Sequence, residues 1–432
     1  MISNYFKLKE NGSSVRAETV GGITTFLTMA YILLVNPMIL SEAGMDRGAV
    51  ITATCLAAFL GTVLVGLWAN APFAMAPGMG LNAFFTYTLV IGQGLSWQTA
   101  LGVVFVSGVA FFLLTIIGIR EKVVNAIPLS LRIASAAGIG LFISFIGMKN
   151  LGLIVDNPAT LVAIGPLTRP VLIGLASLVL IAILEIRKVK GSILIGIAAA
   201  TALGVIVGET QMPDGLASMP PSMAPVAMQL DIVGALQWGM VGAIFSFMFV
   251  DLFDSIGTIV ACSCEAGHVE EDGSIKKIDK ILEADAIATV AGSMLGTSTT
   301  TTYIESASGI ADGARTGLAS MVTGGLFLLA LFFAPLITAV PAFATAPALI
   351  MVGIFMFRNI REIDFTELQT AVPAFLTMLL MPLTFSIAMG LTVGFLSYIA
   401  IALFSGNMKK ISVVMWAVGL LSALNLWISV GS

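Results

Sequence analysis

Charge is the scarcest commodity in this sequence: of 432 residues only 10% are Asp, Glu, Lys or Arg, against 58% apolar ones and a mean hydropathy of +1.03. A soluble domain needs roughly a quarter of its residues charged to wet its surface, so that class is excluded. Histidine occurs once and cysteine three times. Cys262 and Cys264 form a CxC pair at an apolar helix end, but Cys55 stands apart and no second cluster completes a disulfide framework or a metal site. His268, in the polar stretch EAGHVEEDGSIKKIDK, reads as a solvated loop residue. The net charge of -4 includes no basic run, so nucleic acid is not an expected partner. Neither a phosphate loop nor a nucleophile–base pair is present, so no enzyme activity, cofactor or metal is expected. The polar run MISNYFKLKENGSSVRAE precedes the first apolar span, so no cleavable signal is expected.

What is abundant is apolar sequence in span-length runs. A bilayer crossing takes about 20 such residues, fewer where a helix is broken inside protein. On that rule helices are expected near 20–41, 49–70, 80–92, 98–118, 129–148, 168–186, 191–208, 234–261, 282–296, 303–311, 316–338, 343–357, 371–385 and 388–405. These are fourteen spans of an all-α polytopic membrane protein, with a further apolar segment at 411–430. Placing the N-terminus in the cytoplasm puts Arg47, Lys149 and Arg169 outside and the other seventeen of the twenty Lys and Arg inside, as the positive-inside rule requires.

The third and tenth segments are short and follow irregular sequence, NAPFAMAPGMG and GSMLGTSTTT. Such leaders predict extended backbone at membrane depth before a half-length helix. Their matching places, third and tenth, fit a seven-span unit repeated once with inverted topology, in which paired broken helices mark the substrate site. AIPLSLRIASAAGIGLFISFIGMKN near the fifth span echoes AVPAFATAPALIMVGIFMFRNI near the twelfth.

Carboxylates inside apolar spans are costly and therefore mark function. Asp251 and Asp254, three apart in FVDLFDSIGT, project from one side of a helix about a turn apart. Glu305 follows the run Thr297–Tyr303 at the start of the short tenth helix, where it could cap that helix or accept from a ligand. Asn82 holds the equivalent place in GLNAFF, offering donor and acceptor. If the two short helices face each other, Asn82 and Glu305 converge. Phe84, Phe85, Tyr303, Phe247 and Phe253 supply an aromatic wall, and Thr24, Thr25 and Thr28 a hydroxyl face on the first span. Acceptors beside aromatics suit a flat neutral heterocycle with several N–H donors and repel small anions.

TTFLTMAYILLVNP, APGMGLNAFF, FVDLFDSIGT, LGTSTTTTYIESASG and MPLTFSIAMG occur in this order across nearly the whole chain. Together they resemble the nucleobase/ascorbate transporter family, in its adenine/guanine/hypoxanthine permease branch. The resemblance implies fourteen spans in two inverted repeats, a core domain (20–118 and 234–338) that moves against a gate domain (129–208 and 343–405), and a homodimer through the gates. It implies uptake of a purine base with protons at the midplane of a bacterial cytoplasmic membrane. Contacts would come from Glu305, Asp254, Asn82, Thr28, Tyr303 and Thr302, and proton coupling from Asp254 and Glu305, with Asp251 as modulator. Small residues of the fifth span, Ala134, Ala136, Ala137, Gly138 and Gly140, would line the sliding surface. The second acid Asp251, and IESASG where uracil and xanthine members carry an ENIG-like sequence, argue against a pyrimidine. The same fold is similar to that of sulfate and bicarbonate transporters, whose anion exchange or channel activity is the alternative.

Overall fold

A computed structural model describes residues 2–118, 127–212, 215–268, 275–408 and 411–431; Arg120, Lys122, Lys409 and Lys410, assigned above to the inner face, lie outside them. The backbone resolves into helices because in hydrocarbon each N–H and C=O must be satisfied within the chain. In order these are α1 (Val15–Met29), α2 (Ile32–Glu42), α3 (Arg47–Trp68), strand β1 (Met75–Pro77), α4 (Met79–Ala83) and α5 (Trp97–Ile117). Next come α6 (Leu129–Leu151), a hairpin of β2 (Ile154–Asn157) and β3 (Leu161–Ile164), α7 (Arg169–Ile186), α8 (Ser192–Ile206), α9 (Val241–Ala266) and α10 (Ile278–Leu295). Strand β4 (Thr300–Thr302), α11 (Ser306–Ala311), α12 (Gly317–Ala330), α13 (Ala342–Phe357), α14 (Leu368–Thr384), α15 (Ile387–Phe404) and α16 (Val413–Gly431) complete the order.

Among the described residues nine helical stretches are long and apolar enough to cross a membrane, and Met79–Gly92, Ser192–Ile206, Leu368–Thr384 and Val413–Leu424 are shorter apolar helices. The chain is therefore a mostly helical, multi-pass membrane protein. The C-terminal segment is helical and lies against α15 and α9.

Three expected elements differ. The first span is two helices: the amides of Leu33 and Leu34 bond three residues back to Ala30 and Tyr31, upstream of Pro37, which has no N–H to give the Leu33 carbonyl. The third segment leaves α4 as a wider π-helix over Phe84–Gly92. The tenth helix starts at Ser306 rather than 303, because the Tyr303 amide is taken by the Ala74 carbonyl at 2.9 Å and prolongs the strand pairing.

That pairing is the centre of the fold. β1 and β4 are antiparallel, with Met75 opposite Thr302 and Pro77 opposite Thr300, and all six residues are buried. The Gly78 amide adds a bond to the Thr299 carbonyl at 2.9 Å. Buried strands of one isolated pair leave edges that only surrounding protein can cover, and α3, α9 and α10 do so. Gly61 of α3 permits the approach: a Cβ there would lie 3.0 Å from Met75 Cβ and 3.1 Å from Ala288 Cβ.

The small residues of α6 serve a different contact from the one expected. A Cβ on Gly140 would lie 2.6 Å from the Gly353 carbonyl, and one on Gly138 would lie 2.7 Å from Met381 Sδ. Ala134 and Ala137 cluster with Ala374 and Met378. These residues thus seat α6 on α13 and α14. The side of α6 that meets α4 is bulkier, with Ile139 against Gly80.

Candidate functional site

Glu305 immediately precedes α11, at its N-cap, yet its side chain does not cap that helix. It accepts instead from Tyr31 Oη at 2.5 Å, at the break between α1 and α2. Asp254, on α9, is half-buried, and no group among the described residues donates a hydrogen bond to its carboxylate. The two carboxylates are near enough for their charges to interact. Glu305 is also half-buried, so both acids keep acceptor capacity toward reachable space.

The remaining expected contacts fall into place less uniformly. Tyr303 is buried, its hydroxyl donating to the Pro77 carbonyl at 2.5 Å and its amide to Ala74, so its backbone N–H is not free for a ligand. Thr302 is turned to α10, where its amide (2.9 Å) and hydroxyl (3.2 Å) both reach Asp285. Thr28 bonds back to the Thr24 and Thr25 carbonyls of its own helix at 3.0 and 2.9 Å. Asn82 Oδ1 accepts from Ser298 Oγ, while its buried Nδ2 has no partner. Ser298 lies beyond the Pro77–Thr300 end of the strand pair and Tyr303 beyond the other, so Asn82 and Glu305 are held at opposite ends. The antiparallel register sends the two short helices apart.

The aromatic residues form pairs. Phe84 packs on Phe247 with ring centroids 4.8 Å apart, whereas Phe253 packs on Phe249 at 4.4 Å, which in turn meets Phe395 of α15. Asp251 is buried and accepts from Thr289 Oγ1 at 3.2 Å. His268 is half-buried rather than solvated, beside a cavity of about 230 Å³ lined by Glu10, Asn11, Lys276 and Arg315. Cys55 and Cys262 are buried and Cys264 exposed, all unbridged.

Three polar residues escaped the sequence reading. Tyr31 was legible in principle, as the lone tyrosine of an apolar run next to Pro37. Asp285 sits among ordinary helix formers in ILEADAIATV and gives no local signal. Glu18 looked like part of a polar leader, but it is fully buried and accepts from the amides of Arg315 (3.0 Å), Thr316 (3.2 Å) and Ala319 (3.2 Å), capping α12 from another helix.

Comparison with known proteins places this geometry. Residues 16–393 match a family model described as the Permease family. The Adenine permease AdeP of Escherichia coli is 44% identical over 427 residues, covering 99% of this chain and 96% of that one. The Guanine/hypoxanthine permease PbuG of Bacillus subtilis is likewise 44% identical over 427 residues, covering 96% and 97%. Among solved structures, the transmembrane domain of a cyanobacterium bicarbonate transporter, BicA, superposes with a TM-score of 0.67 at 15% identity, over 88% of this chain and 97% of that one. At that identity the likeness is one of fold.

Proposed function

The chain belongs to the permease family, and from that premise we propose that it carries purine nucleobases across a membrane together with protons. It is a permease rather than an enzyme. The observation that carries the proposal is the pair Asp254 and Glu305: two half-buried carboxylates, one without a donor among the described residues and one accepting from Tyr31, beside a half-helix start. Purine ring and amino N–H groups would supply the missing donors, as charge-assisted bonds about twice as strong as neutral ones. Relatives named for adenine and for guanine and hypoxanthine support the same substrate class.

Glu305 and Asp254 would bind the base, with Tyr31 orienting Glu305, the Phe84–Phe247 pair beside them, and Asn82, Tyr303 and Thr28 lining the approach. Thr302 would hold its strand to Asp285 and act through position. One proton shared by the two acids would leave less charge to move through the barrier when purine is bound, and Asp251 would modulate that balance. The fold would comprise fourteen spans in two inverted repeats, with the N-terminus in the cytoplasm of a bacterial cell and homodimerisation through α13 and α14. Alternating access would move the helices of 20–118 and 234–338 against those of 129–208 and 343–405. Contacts between these groups suit gating: Asn150 Nδ2 donates to Glu42 at 3.0 Å and to Tyr87 Oη at 3.2 Å, while Lys190 pairs with Asp312 elsewhere.

The fold shared with a bicarbonate transporter keeps anion transport as the alternative, which two carboxylates in one crevice oppose. Uptake of radiolabelled hypoxanthine, guanine, adenine, sulfate and bicarbonate into proteoliposomes decides between them. Saturable purine uptake is expected; anion uptake without purine uptake overturns the reading.

A further inference from the structure

Two rungs of polar side chains join α9, α10 and β4. In the first, Asp285 accepts from Ser255 Oγ at 2.6 Å, from the Thr302 amide at 2.9 Å and from Thr302 Oγ1 at 3.2 Å. Both oxygens of that carboxylate are therefore partnered. The second rung repeats the arrangement one turn along each helix, at Asp251 of α9, Thr289 of α10 and Thr300 of β4, and its bookkeeping does not close.

Thr289 Oγ1 lies 3.2 Å from Asp251 Oδ2 and 3.1 Å from the Thr300 carbonyl, so a hydroxyl with one proton faces two acceptors. Asp251 Oδ1 and Thr300 Oγ1 are buried with no partner at all. Thr300 Oγ1 points at α10 where Gly292 leaves room: a Cβ there would lie 2.5 Å from it. Both Asp251 and Thr300 are at most 1% exposed, and the ion pairs among the described residues, Lys7–Glu10 and Lys190–Asp312, are elsewhere. Were Asp251 ionised, a buried carboxylate with no counter-charge beside an unpartnered hydroxyl would cost several kcal/mol, and a bound cation would offset that cost.

We propose that Asp251, Thr289 and Thr300 form a binding site for a sodium ion, separate from the acids that face the transported solute. The candidate donors are the two Asp251 oxygens, Thr289 Oγ1, and the carbonyl and hydroxyl oxygens of Thr300. An all-oxygen set suits a hard cation, and a single unsaturated carboxylate matches one positive charge, whereas divalent ions draw on more. Transition metals lack their ligands, since no group of three or more His, Cys, Asp or Glu side chains fit for one occurs among the described residues. Bound sodium would pin Thr300, and through β4 the strand that delivers Glu305.

The test is equilibrium binding of radiolabelled sodium to purified full-length protein in detergent, with choline holding ionic strength and pH constant. It does not depend on which solute is carried. Saturable binding of one ion per chain is expected. Asp251→Asn and Thr300→Val should each weaken it by about tenfold or more, while Thr300→Ser, which keeps the hydroxyl, and Glu305→Gln, which disables the proposed purine site, should retain it. No saturable sodium binding by monodisperse wild-type protein overturns the proposal, as does undiminished binding by Asp251→Asn. Proton uptake on filling the rung, with no sodium bound, also overturns it and assigns a proton there instead. If Asp251→Asn does not fold, the wild-type isotherm and the contrast between Thr300→Val and Thr300→Ser still decide.

Discussion

Met75–Gly92 and Thr300–Ala311 begin alike, as three-residue strands buried against one another, and then diverge. The first runs through α4 into nine residues of π-helix and places a neutral amide, Asn82, in its opening turn. The second reaches only six helical residues and is led by a carboxylate, Glu305, which looks away from its own helix to Tyr31. A pseudo-symmetric backbone therefore supports an asymmetric site. Strand pairing fixes where the two helix starts lie, while one side chain on each fixes what can be done there.

The comparison would break most sharply at Asp254, the acid opposite Glu305. Asp254→Asn mimics a permanently protonated acid, so exchange of purine across a proteoliposome membrane should persist while accumulation driven by a pH gradient is lost. Counterflow and concentrative uptake measured side by side check this. If both Asp254→Asn and Glu305→Gln still concentrate purine, coupling resides elsewhere.

Glu305→Gln should weaken purine binding by roughly one to two orders of magnitude, since a hydrogen bond to a charged group contributes about 1.5–3 kcal/mol. Asn82→Ala should cost less, about tenfold at most, as for a neutral hydrogen bond. Isothermal titration of both folded variants with hypoxanthine, guanine and adenine ranks the two segments. A larger loss at Asn82 would reverse their assigned roles.

The smallest effect is expected at His268, outside the spans. Burial lowers its pKa, and the positive charges of Lys276, Lys277 and Arg315 lower it further, against a hydrogen bond to the Arg315 backbone. The unfolded chain therefore takes up this proton first as pH falls through about 6.5, and stability drops until the folded state is protonated too. Thermal unfolding of wild type and His268→Gln between about pH 7.5 and 5 should show a slightly flatter profile for the variant. Identical profiles would remove His268 from the acid response.

Much of the architecture was legible because hydrocarbon imposes a coarse rule, namely about 20 apolar residues per crossing. The leaders NAPFAMAPGMG and GSMLGTSTTT announced extended backbone; β1 lies within the first, and β4 begins in the second and ends one residue past it. Helix ends were read less well where a tertiary bond decided them, as at Tyr303, whose amide goes to Ala74. Gly138 and Gly140 were visible as a small-residue face, but a face does not name its partner. Only packing against Met381 and Gly353 did so.

The sequence by itself determined that the chain lives in a membrane and singled out Asp251, Asp254 and Glu305 as candidates, because each acid is expensive in an apolar run whatever surrounds it. Tertiary structure alone decided what surrounds each acid. Asp251 and Asp254 are separated by less than one helical turn, yet one is buried against Thr289 and the other is half-buried with no donor among the described residues. Asp285 and Glu18, unremarkable in sequence, became fully buried acceptors of backbone amides. Spacing along one helix sets the angle between two side chains; it cannot say which distant segment will occupy that direction.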